Sequence, residues 1–448
     1  MNQGSVVRLT MESETERGMG VARADGMVVF VPGVLAGETC EVLITEIEKN
    51  YARGICAHLH TRSPFRAEPP CELYGNCGGC EFGHAAYPYQ LEVKRRILTQ
   101  ALSHIGKLKN VEECTLPCVP SPLTEGYRNR VQLPVCRTED GVKVGFYARG
   151  THTPVPFSSC AICNPRILQA AELLCRVAAP FKELFCRSRN DGGLIHHAAF
   201  RCSESYDDMM IVLVCSENPR GRLDRLAAAL TEAGAATTVA ENIGNGAGAV
   251  LGRQTRTIVG SGYVRERVGE IEVRLTPSVF TQVNNAQAVR LYDQAAAYAD
   301  IPRNGRGIDA YCGIGLLSLQ LASKGYRMTG IEIEASSVQV ARESASANHI
   351  QLVDFMHGDC RNVLPQLLKE RTPDALFLDP PRGGCSKKEL DAVASAHPKR
   401  IVYISCNPAT LARDLPLLMK KGYSLQQITP FDMMPHTSRV EACCLLSR

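Results

Sequence analysis

Short apolar runs separated by turn signals occupy about the first sixty residues. Residues 6–10, 27–31 and 39–45 are rich in β-branched and apolar side chains and predict strands. Pro32-Gly33 and Ala36-Gly37 between these runs are typical of turns. The pattern favours a small β-barrel of the kind that often carries single-stranded nucleic acid. The alternative is a β-appendage that only packs against its neighbour.

Residues 86 to about 270 mix two periodicities. Residues 90–105 have the spacing of an amphipathic helix, whereas residues 127–135 and 143–147 predict strands. Residues 271–275 begin a further strand. We therefore expect a mixed α+β middle domain. Four side chains there either line an RNA path or face solvent: Tyr127, Arg128, Arg130 and Arg149.

From about residue 300 strands alternate with helices, which predicts an α/β domain. A strand at 307–311 runs into Gly313-Ile314-Gly315, and residues 316–322 predict the helix that follows. A Gly-x-Gly turn by itself is weak evidence, because it only lets a ligand approach the backbone closely.

The next strand, at 327–332, ends in Glu332, which lies 23 residues beyond Asp309. A carboxylate at this position can accept hydrogen bonds from a ribose. With Asp359 after the third strand, the pattern predicts a nucleoside cofactor held across successive strand ends. NAD remains possible, but position 318 is Ser and the full Gly-x-Gly-x-x-Gly is missing. S-adenosylmethionine, which has no pyrophosphate, fits better.

Two later strands end in reactive residues. Asp379-Pro380-Pro381 follows one of them, and the β-branched run at 401–405 ends at Cys406 before an Asn-Pro turn. Open α/β sheets bind ligands just outside the carboxyl ends of their strands. Cys406 is either a buried structural thiol or a nucleophile. Glu441, ahead of the strand at 442–446, is either an ordinary turn carboxylate or a base facing Cys406.

A cysteine, a base and a cofactor pocket at one sheet edge suit methylation of uracil at C5. This carbon is too weak a nucleophile to take a methyl group directly from a sulfonium. Addition of a thiolate at C6 makes C5 nucleophilic, and a base must then remove the C5 proton so that the thiolate can leave.

The chain length of 448 residues predicts about three domains. We place them at residues 1–62, 63–270 and 271–448. No apolar run is long enough to span a membrane, and no signal-like segment begins at Met1, so we expect a cytoplasmic, monomeric protein without membrane contact. A net charge of +4 neither demands nor excludes nucleic acid.

Twenty cysteines without an export signal favour reduced thiols, metal ligation or catalysis over disulfides. Cys71, Cys77 and Cys80 have C-x5-C-x2-C spacing, which allows them to converge on one metal centre. A fourth ligand is available at Cys160 or Cys163. Thiolate ligands alone do not distinguish an iron-sulfur cluster from a four-cysteine zinc site.

The N-terminal segment resembles a known module. Gly18-Met19-Gly20-Val21-Ala22-Arg23 and Val29-Phe30-Val31-Pro32-Gly33 are similar to a TRAM domain, an RNA-binding barrel. The basic residues that would contact phosphate are Arg8, Arg17, Arg23, Lys49 and Arg53.

The whole chain resembles the RNA (uracil-5-)-methyltransferases, in particular the TRAM-containing, iron-sulfur branch that acts on 23S ribosomal RNA. The resemblance is most specific at residues 378–383, 405–414 and 434–437. It implies a C-terminal Rossmann-like class I methyltransferase sheet joined to an N-terminal TRAM/OB-like β-barrel and the middle domain. It also implies that Cys406 is the nucleophile and Glu441 the base.

The same resemblance implies further roles. Phe280 and Asp379 would lie near the target base, although Phe280 fits a core position equally well. Cys71, Cys77, Cys80 and Cys160 would hold a [4Fe-4S] cluster that is structural or positions RNA, while Cys163 departs from the family spacing. Leu316 stands where some members carry a polar cofactor contact. The residues that would hold S-adenosylmethionine are Gln282, Tyr311, Glu332, Asp359 and Asp379.

Rival interpretations remain at this point. Asp-Pro-Pro elements also serve exocyclic amine methylation, which needs no cysteine. The substrate could be transfer RNA instead of ribosomal RNA, because related folds serve both. A non-catalytic RNA-binding assembly factor that kept the fold is the third alternative.

Overall fold

The computed structural model describes residues 1–151, 153–156, 159–187, 193–244 and 250–448. The N-terminal sheet has the strand order β1-β5-β6-β4-β3-β2. Val29, Val31, Val42 and Ile44 alternate with outward residues and form its buried core. The strands are β1 (Val6–Thr10), β2 (Ser13–Glu14), β3 (Met19–Ala24), β4 (Met27–Pro32), β5 (Thr39–Ile47) and β6 (Tyr51–Thr61).

Helix α1 (Tyr87–His104) anchors this N-terminal sheet to the rest of the protein. Glu14 is buried in the sheet, and its carboxylate accepts a hydrogen bond from Tyr89 Oη at 2.6 Å and pairs with Arg96. Its Oε1 also accepts the Ala36 amide at 2.7 Å. Because a buried carboxylate requires such partners, these contacts specify one docking orientation.

The middle region is a mixed sheet with the order β13-β12-β11-β10-β7-β8-β9. β11 lies inside this sheet and is buried along its length, as its continuous apolar run requires. The elements are α2 (Val111–Cys114), β7 (Arg130–Thr138), β8 (Gly141–Tyr147), β9 (Pro154–Pro156), α3 (Pro165–Val177), a 3-10 helix (Ala179–Leu184), β10 (Ile195–Cys202), β11 (Met209–Cys215), α4 (Asp224–Glu232), β12 (Thr238–Ile243) and β13 (Gln254–Val259).

A hairpin of β14 (Val264–Val268) and β15 (Ile271–Leu275) leads into the C-terminal domain. The following elements are α5 (Asn285–Ala299), β16 (Arg306–Ala310), α6 (Leu316–Ser323), β17 (Arg327–Glu332), α7 (Ala335–Ala347), β18 (Val353–His357), α8 (Cys360–Glu370), β19 (Ala375–Leu378), α9 (Lys387–Ala396), β20 (Arg400–Ser405), α10 (Pro408–Met419), β21 (Ser424–Phe431) and β22 (Glu441–Ser447).

The C-terminal sheet has the order β18-β17-β16-β19-β20-β22-β21. The five strands from β18 to β20 are parallel, whereas β22 runs antiparallel to both of its neighbours. Strand order reverses between β16 and β19, so a crevice opens there at the carboxyl ends of the strands. This arrangement confirms the predicted fold class, a Rossmann-like methyltransferase sheet with an N-terminal β-domain.

Residues 87–119 pack against the C-terminal domain. Leu98 and Leu102 of α1 share a core with Leu411 and Leu415 of α10. Downstream, the backbone at Thr115 and Val119 bridges to β21. The domain boundaries at 62/63 and 270/271 stay predictions. Helices α1 and α2 belong by sequence to the predicted middle domain, residues 63–270, but they pack against the C-terminal domain. Among the helices of the described residues, none has the length and apolar character that a membrane crossing requires.

Candidate active site

Cys406 and Glu441 lie side by side at the ends of neighbouring antiparallel strands. Ser405 of β20 pairs with Ala442 of β22, so the next step in this register sets Cys406 opposite Glu441. Directly opposite residues have Cα atoms about 4.5–5.5 Å apart and side chains on the same face. The Glu441 carboxylate is close enough to raise the pKa of the Cys406 thiol.

The turn after Cys406 starts α10 and ties two loops together. Asn407 Oδ1 accepts the Ala409 amide at 3.1 Å and caps the helix. Its Nδ2 donates to the Arg382 carbonyl at 3.0 Å. Cys406 is therefore held beside the Asp-Pro-Pro-Arg loop and just before a helix N-terminus, where the backbone favours negative charge.

Burial dominates the electrostatics of this edge. It raises the pKa of Glu441 to about 8 and that of Asp379 to about 7. Burial and the carboxylates of Glu441 and Asp379 raise the pKa of Cys406 to about 11, and Arg382 opposes that shift. These groups therefore exchange protons near neutral pH or above it, as proton-transfer chemistry requires.

The turn after β16 forms one wall of the crevice. Tyr311 has a φ of +66°, in the left-handed region that non-glycine residues seldom adopt. Space above Gly313 is open, whereas a Cβ at Gly315 would lie 2.4 Å from the Phe355 ring. The Tyr311 hydroxyl donates to Glu389, so its ring and backbone are what this residue offers to a ligand.

Two predicted cofactor residues lie at the carboxyl ends of the next two strands: Glu332 is the last residue of β17, and Asp359 follows β18. Glu332 accepts the Gly313 amide at 3.0 Å and the Glu334 amide at 2.8 Å, which aims its carboxylate into the crevice. Asp359 caps α8 and pairs with Arg361 through both carboxylate oxygens. A carboxylate has about four acceptor positions, so Glu332 keeps room for hydroxyl donors.

Asp309 lies beneath this wall. It is buried and accepts a hydrogen bond from Ser318 Oγ at 2.7 Å. Burial raises its pKa to about 7, and the nearby Asp379 and Glu332 carboxylates add to the shift. Asp309 thus supports the turn from below.

Phe280 lies in the loop after β15 and is 65% exposed, so the interpretation of Phe280 as a core residue is wrong. Two arginines hold the loop from behind: Arg130 Nη1 and Arg201 Nη2 donate to the Val279 carbonyl at 3.1 and 2.6 Å. Gln282 is half-buried two residues further on. A large exposed aromatic ring on a rigidly held loop is suited to stacking on a base.

The four predicted thiol ligands line one pocket away from the sheet edge. Cys71, Cys77, Cys80 and Cys160 face it together with His436. Burial and the neighbouring thiols raise the pKa of Cys80 to about 12. Among the described residues, no group of three or more His, Cys, Asp or Glu side chains is arranged to hold a metal ion.

Cys160 and Cys163 have different positions. Cys163 is buried in the core of the middle domain and lies outside the pocket lining. The neighbouring Cys163 thiol lowers the pKa of the Cys160 thiol. The side chain that reaches the pocket is therefore Cys160.

The expected RNA path through the middle domain needs one correction. Tyr127 is buried, and its hydroxyl donates to the Pro435 carbonyl at 3.0 Å, so it cannot line a surface path. The reason is tertiary, because the aromatic ring packs where the loop before β22 crosses it. Arg149 donates to the Cys80 carbonyl at 3.0 Å and supports the thiol pocket.

The candidate phosphate contacts of the N-terminal sheet are exposed. Arg53 pairs with Glu46 at 2.7 Å and lies over the Tyr51 ring, and Arg23 is 4.0 Å from Glu12. The exposed set is Arg8, Arg17, Arg23, Lys49 and Arg53. Exposed pairs of this kind are weak enough to exchange for phosphate contacts.

Sequence reasoning missed three residues that organise the site. His436 lines the thiol pocket, Arg382 faces Cys406, and Arg201 holds the Phe280 loop. His436 and Arg382 stand within segments that carry the family resemblance, so a signal was present. Arg201 stands in an apolar strand pattern and gives no local signal.

Comparison with known proteins shows which sequences this chain is similar to. Residues 247–448 match the tRNA (uracil-5-)-methyltransferase family, and residues 2–56 match the TRAM domain. The chain is 34% identical to an uncharacterized RNA methyltransferase of Bacillus cereus, covering 100% of this chain and 98% of the relative. One from Listeria innocua is also 34% identical, with the same coverage.

A solved structure shares the fold. The Pyrococcus abyssi tRNA (uracil-54, C5)-methyltransferase, in complex with S-adenosyl-L-homocysteine, superposes with a TM-score of 0.78 at 24% identity. The match covers 98% of this chain and 99% of that one. With this fold and with full-length relatives above 30% identity, the chain belongs to the RNA (uracil-5-)-methyltransferase family and carries a TRAM domain.

Proposed function

We propose that this protein methylates C5 of a uridine in RNA, with S-adenosylmethionine as the methyl donor and a covalent adduct between Cys406 and uracil C6. The observation that carries this proposal is the β20–β22 register, in which Ser405 pairs with Ala442, so that the following Cys406 lies near Glu441 and Asp379, whose carboxylates raise the pKa of its thiol. Exocyclic amine methylation would leave both the cysteine and the opposed carboxylate without a role. A non-catalytic assembly factor would have no need for either.

The reaction divides into two halves. In the first, Cys406 Sγ bonds to uracil C6, its proton passes to water, and the C5=C6 electron pair becomes available at C5. S-adenosylmethionine, when bound, supplies an electrophilic methyl group to that carbon. In the second half Glu441 removes the C5 proton, the C5=C6 bond re-forms, and the Sγ–C6 bond breaks with its electron pair returning to sulfur.

The crevice residues fit a nucleoside cofactor. The open space at Gly313 admits a ligand close to the backbone, and the Glu332 carboxylate has acceptor capacity for ribose hydroxyls. Tyr311 offers an aromatic ring at the same wall. We propose that Gln282, Asp359 and Asp379 complete the cofactor site.

We propose that the four pocket thiols bind a [4Fe-4S] cluster. Cys71, Cys77, Cys80 and Cys160 line one pocket, and thiolates are the usual ligands of such clusters. Zinc is the alternative occupant, because it takes the same four ligands. We assign the metal a structural role, since the pocket is separate from the sheet edge.

We propose 23S ribosomal RNA as the substrate, on the family resemblance of the TRAM and thiol segments. The N-terminal sheet, with its exposed Arg8, Arg17 and Lys49, supplies the non-specific RNA surface. Transfer RNA is the alternative, since a structural neighbour acts on transfer RNA.

A trapping experiment tests the proposal. The protein is incubated with S-adenosylmethionine and 5-fluorouracil-containing fragments of 23S RNA, and the mixture is denatured and resolved. Fluorine at C5 cannot leave as a proton, so the thioether should persist as a denaturation-resistant adduct. Cys406→Ala should abolish this adduct and lower methylation by about 10⁴-fold or more.

The matched control is Cys136→Ala, a half-buried cysteine of β7 that lies in the middle domain. This variant should form the adduct like the unaltered protein. An adduct on transfer RNA alone would keep the chemistry and change the substrate. If neither RNA gives an adduct while the cofactor still binds, the nucleophile assignment is wrong.

A further inference from the structure

The loop that precedes Glu441 connects the thiol pocket with the active site. It comprises residues 432–440, between Phe431 at the end of β21 and Glu441 at the start of β22, and is called here the base loop. Any segment that fixes this loop also fixes the position of the carboxylate that follows it.

The residues directly after Cys80 hold the base loop through its backbone. The Glu81 and Phe82 amides both donate to the His436 carbonyl, at 3.1 and 2.9 Å. In return, the Ser438 amide donates to Glu81 Oε2 at 3.0 Å. This reciprocal set joins the thiol segment, residues 71–82, to the base loop as close as three residues before Glu441.

Helix α1 holds the other side of the base loop. Lys94 is fully buried, pairs with the fully buried Asp432 and donates to the Met434 carbonyl at 3.0 Å. Gln90 Oε1 accepts the His436 amide at 2.9 Å. Buried polar contacts of this kind specify a single conformation, because breaking any one of them leaves a buried group without its partner.

His436 is the residue at which these contacts meet. Its φ of +65° is unusual for a residue other than glycine, and such a conformation persists only where the surroundings over-determine it. The side chain is buried and lines the thiol pocket, and among the described residues its Nε2 has no hydrogen-bond partner. The backbone of His436 thus contacts Glu81 and Phe82, while its ring lines the pocket that the metal would fill.

We infer that the thiol segment, residues 71–82, positions the catalytic base and so acts as a clamp. Glu81 and Phe82, held in place by the adjacent metal site, fix His436 and the base loop, and the base loop fixes Glu441. This inference rests on the proposed function. Glu81 and His436 are positioning residues and do not touch the substrate. The clamp acts on the second half of the reaction, in which Glu441 takes the C5 proton and the Sγ–C6 bond breaks.

Because the clamp acts only on the second half of the reaction, its loss has an effect that can be told apart from general loss of activity. Forming the Sγ–C6 bond and methylating C5 do not require Glu441 as a base, whereas release of the product does. Loosening the clamp should therefore leave a methylated protein–RNA adduct on ordinary uridine. A merely structural role would lower the adduct and the product together.

The experiment uses the metal-loaded protein with a uridine-containing 23S RNA fragment and S-adenosylmethionine carrying a labelled methyl group. The ratio of labelled adduct to released 5-methyluridine is measured after denaturation. Glu81→Ala should raise this ratio about tenfold or more, because a displaced base loses part of a contribution of about 10²–10⁴. Glu81→Gln, which retains an acceptor for the Ser438 amide, should restore a ratio close to that of the unaltered protein.

Two further variants complete the design. Glu72→Ala removes an exposed carboxylate of the same segment and should leave the ratio unchanged. Gln90→Leu disturbs the base loop from α1, away from the thiols, and should raise the ratio in the same direction as Glu81→Ala. If Glu81→Ala does not fold, Gln90→Leu carries the same test.

A second readout does not depend on turnover. Hydrogen exchange of residues 432–440 should increase when the metal is removed from the full-length protein by chelation, while exchange in β16 and β17 stays the same. An unchanged adduct ratio in Glu81→Ala and Gln90→Leu, or unchanged exchange in the base loop, would overturn the clamp. Failure of the proposed function is distinguishable, since the unaltered protein would then give no adduct with 5-fluorouracil RNA.

Discussion

The acids at the edge of the C-terminal sheet form two groups with different surroundings. In the inner group, Asp309 is buried and Asp379 and Glu441 are half-buried, and burial raises the pKa of each. Glu332 and Asp359, on the outer side of the crevice, accept hydrogen bonds from backbone amides, and Arg361 lowers the pKa of Asp359. Asp309, Glu332 and Glu441 lie in strands, and Asp359 and Asp379 lie just after strands, so position in the chain does not separate the two groups.

The difference shows how one sheet edge supports two tasks. A carboxylate that gains its proton near neutral pH is suited to taking a proton from a substrate. A carboxylate whose oxygens already accept backbone amides and keep free lone pairs is suited to accepting further hydrogen bonds from hydroxyl groups. We therefore expect substitutions in the inner group to change turnover and those in the outer group to change cofactor affinity.

The largest effect is expected at Glu441. Glu441→Gln should lower kcat by about 10²–10⁴-fold, because general-base catalysis contributes that much. A methylated adduct should also accumulate on ordinary uridine. Both quantities are measured with labelled S-adenosylmethionine. A fall in cofactor affinity without a fall in kcat would remove the distinction between the inner and outer acids.

Glu332→Gln should raise the KM for S-adenosylmethionine about 10- to 100-fold with little change in kcat. The physical reason is that a hydrogen bond to a charged group is worth about 1.5–3 kcal/mol. Steady-state kinetics with saturating RNA provide the measurement. Glu334→Gln, whose backbone rather than its side chain contacts Glu332, serves as the matched control.

Activity and stability should depend on pH in opposite directions. The inner acids keep their protons to a higher pH in the folded protein than in the unfolded chain, so the folded state binds more protons between about pH 4.5 and 8. The free energy of unfolding should fall as pH rises through this window. In contrast, kcat/KM should rise with ionisation of Glu441, whose pKa is about 8.

Denaturant titrations and initial rates at several pH values test this pair of trends. Glu441→Gln should make the decline in stability shallower, because it removes one of the titrating groups. A free energy of unfolding that rises between pH 5 and 8 would contradict the raised pKa values of the inner acids.

The smallest effect is expected at the exposed outer pair. Arg361→Ala should leave the midpoint of urea unfolding almost unchanged, since Arg361 is 64% exposed and solvent screens its interaction with Asp359. Urea denaturation measures this midpoint. A clear fall in the midpoint would mean that the outer group is coupled to the sheet edge more strongly than its exposure indicates.

Local sequence patterns were reliable where one segment carried its own signal. The strands predicted at 271–275 and 327–332 have those bounds in the structure, and Asp379 and Cys406 directly follow strands as expected. The predicted strand at 127–135 starts later, at Arg130, because Tyr127 is buried against the Pro435 carbonyl. No pattern within residues 127–135 reveals a partner some three hundred positions away.

Residue types and their order along the chain were sufficient to predict a parallel sheet and to single out Cys406, Glu441 and a group of thiols as candidates. These features depend on periodicity and on motifs of a few residues, which a single segment contains. The tertiary structure alone decided which acids have raised pKa values and that α1 and Glu81 hold the base loop, and it places Cys160, which the resemblance implied as the fourth thiol, at the pocket. Burial and long-range hydrogen bonds join segments distant in sequence, so they exist only once the chain has folded.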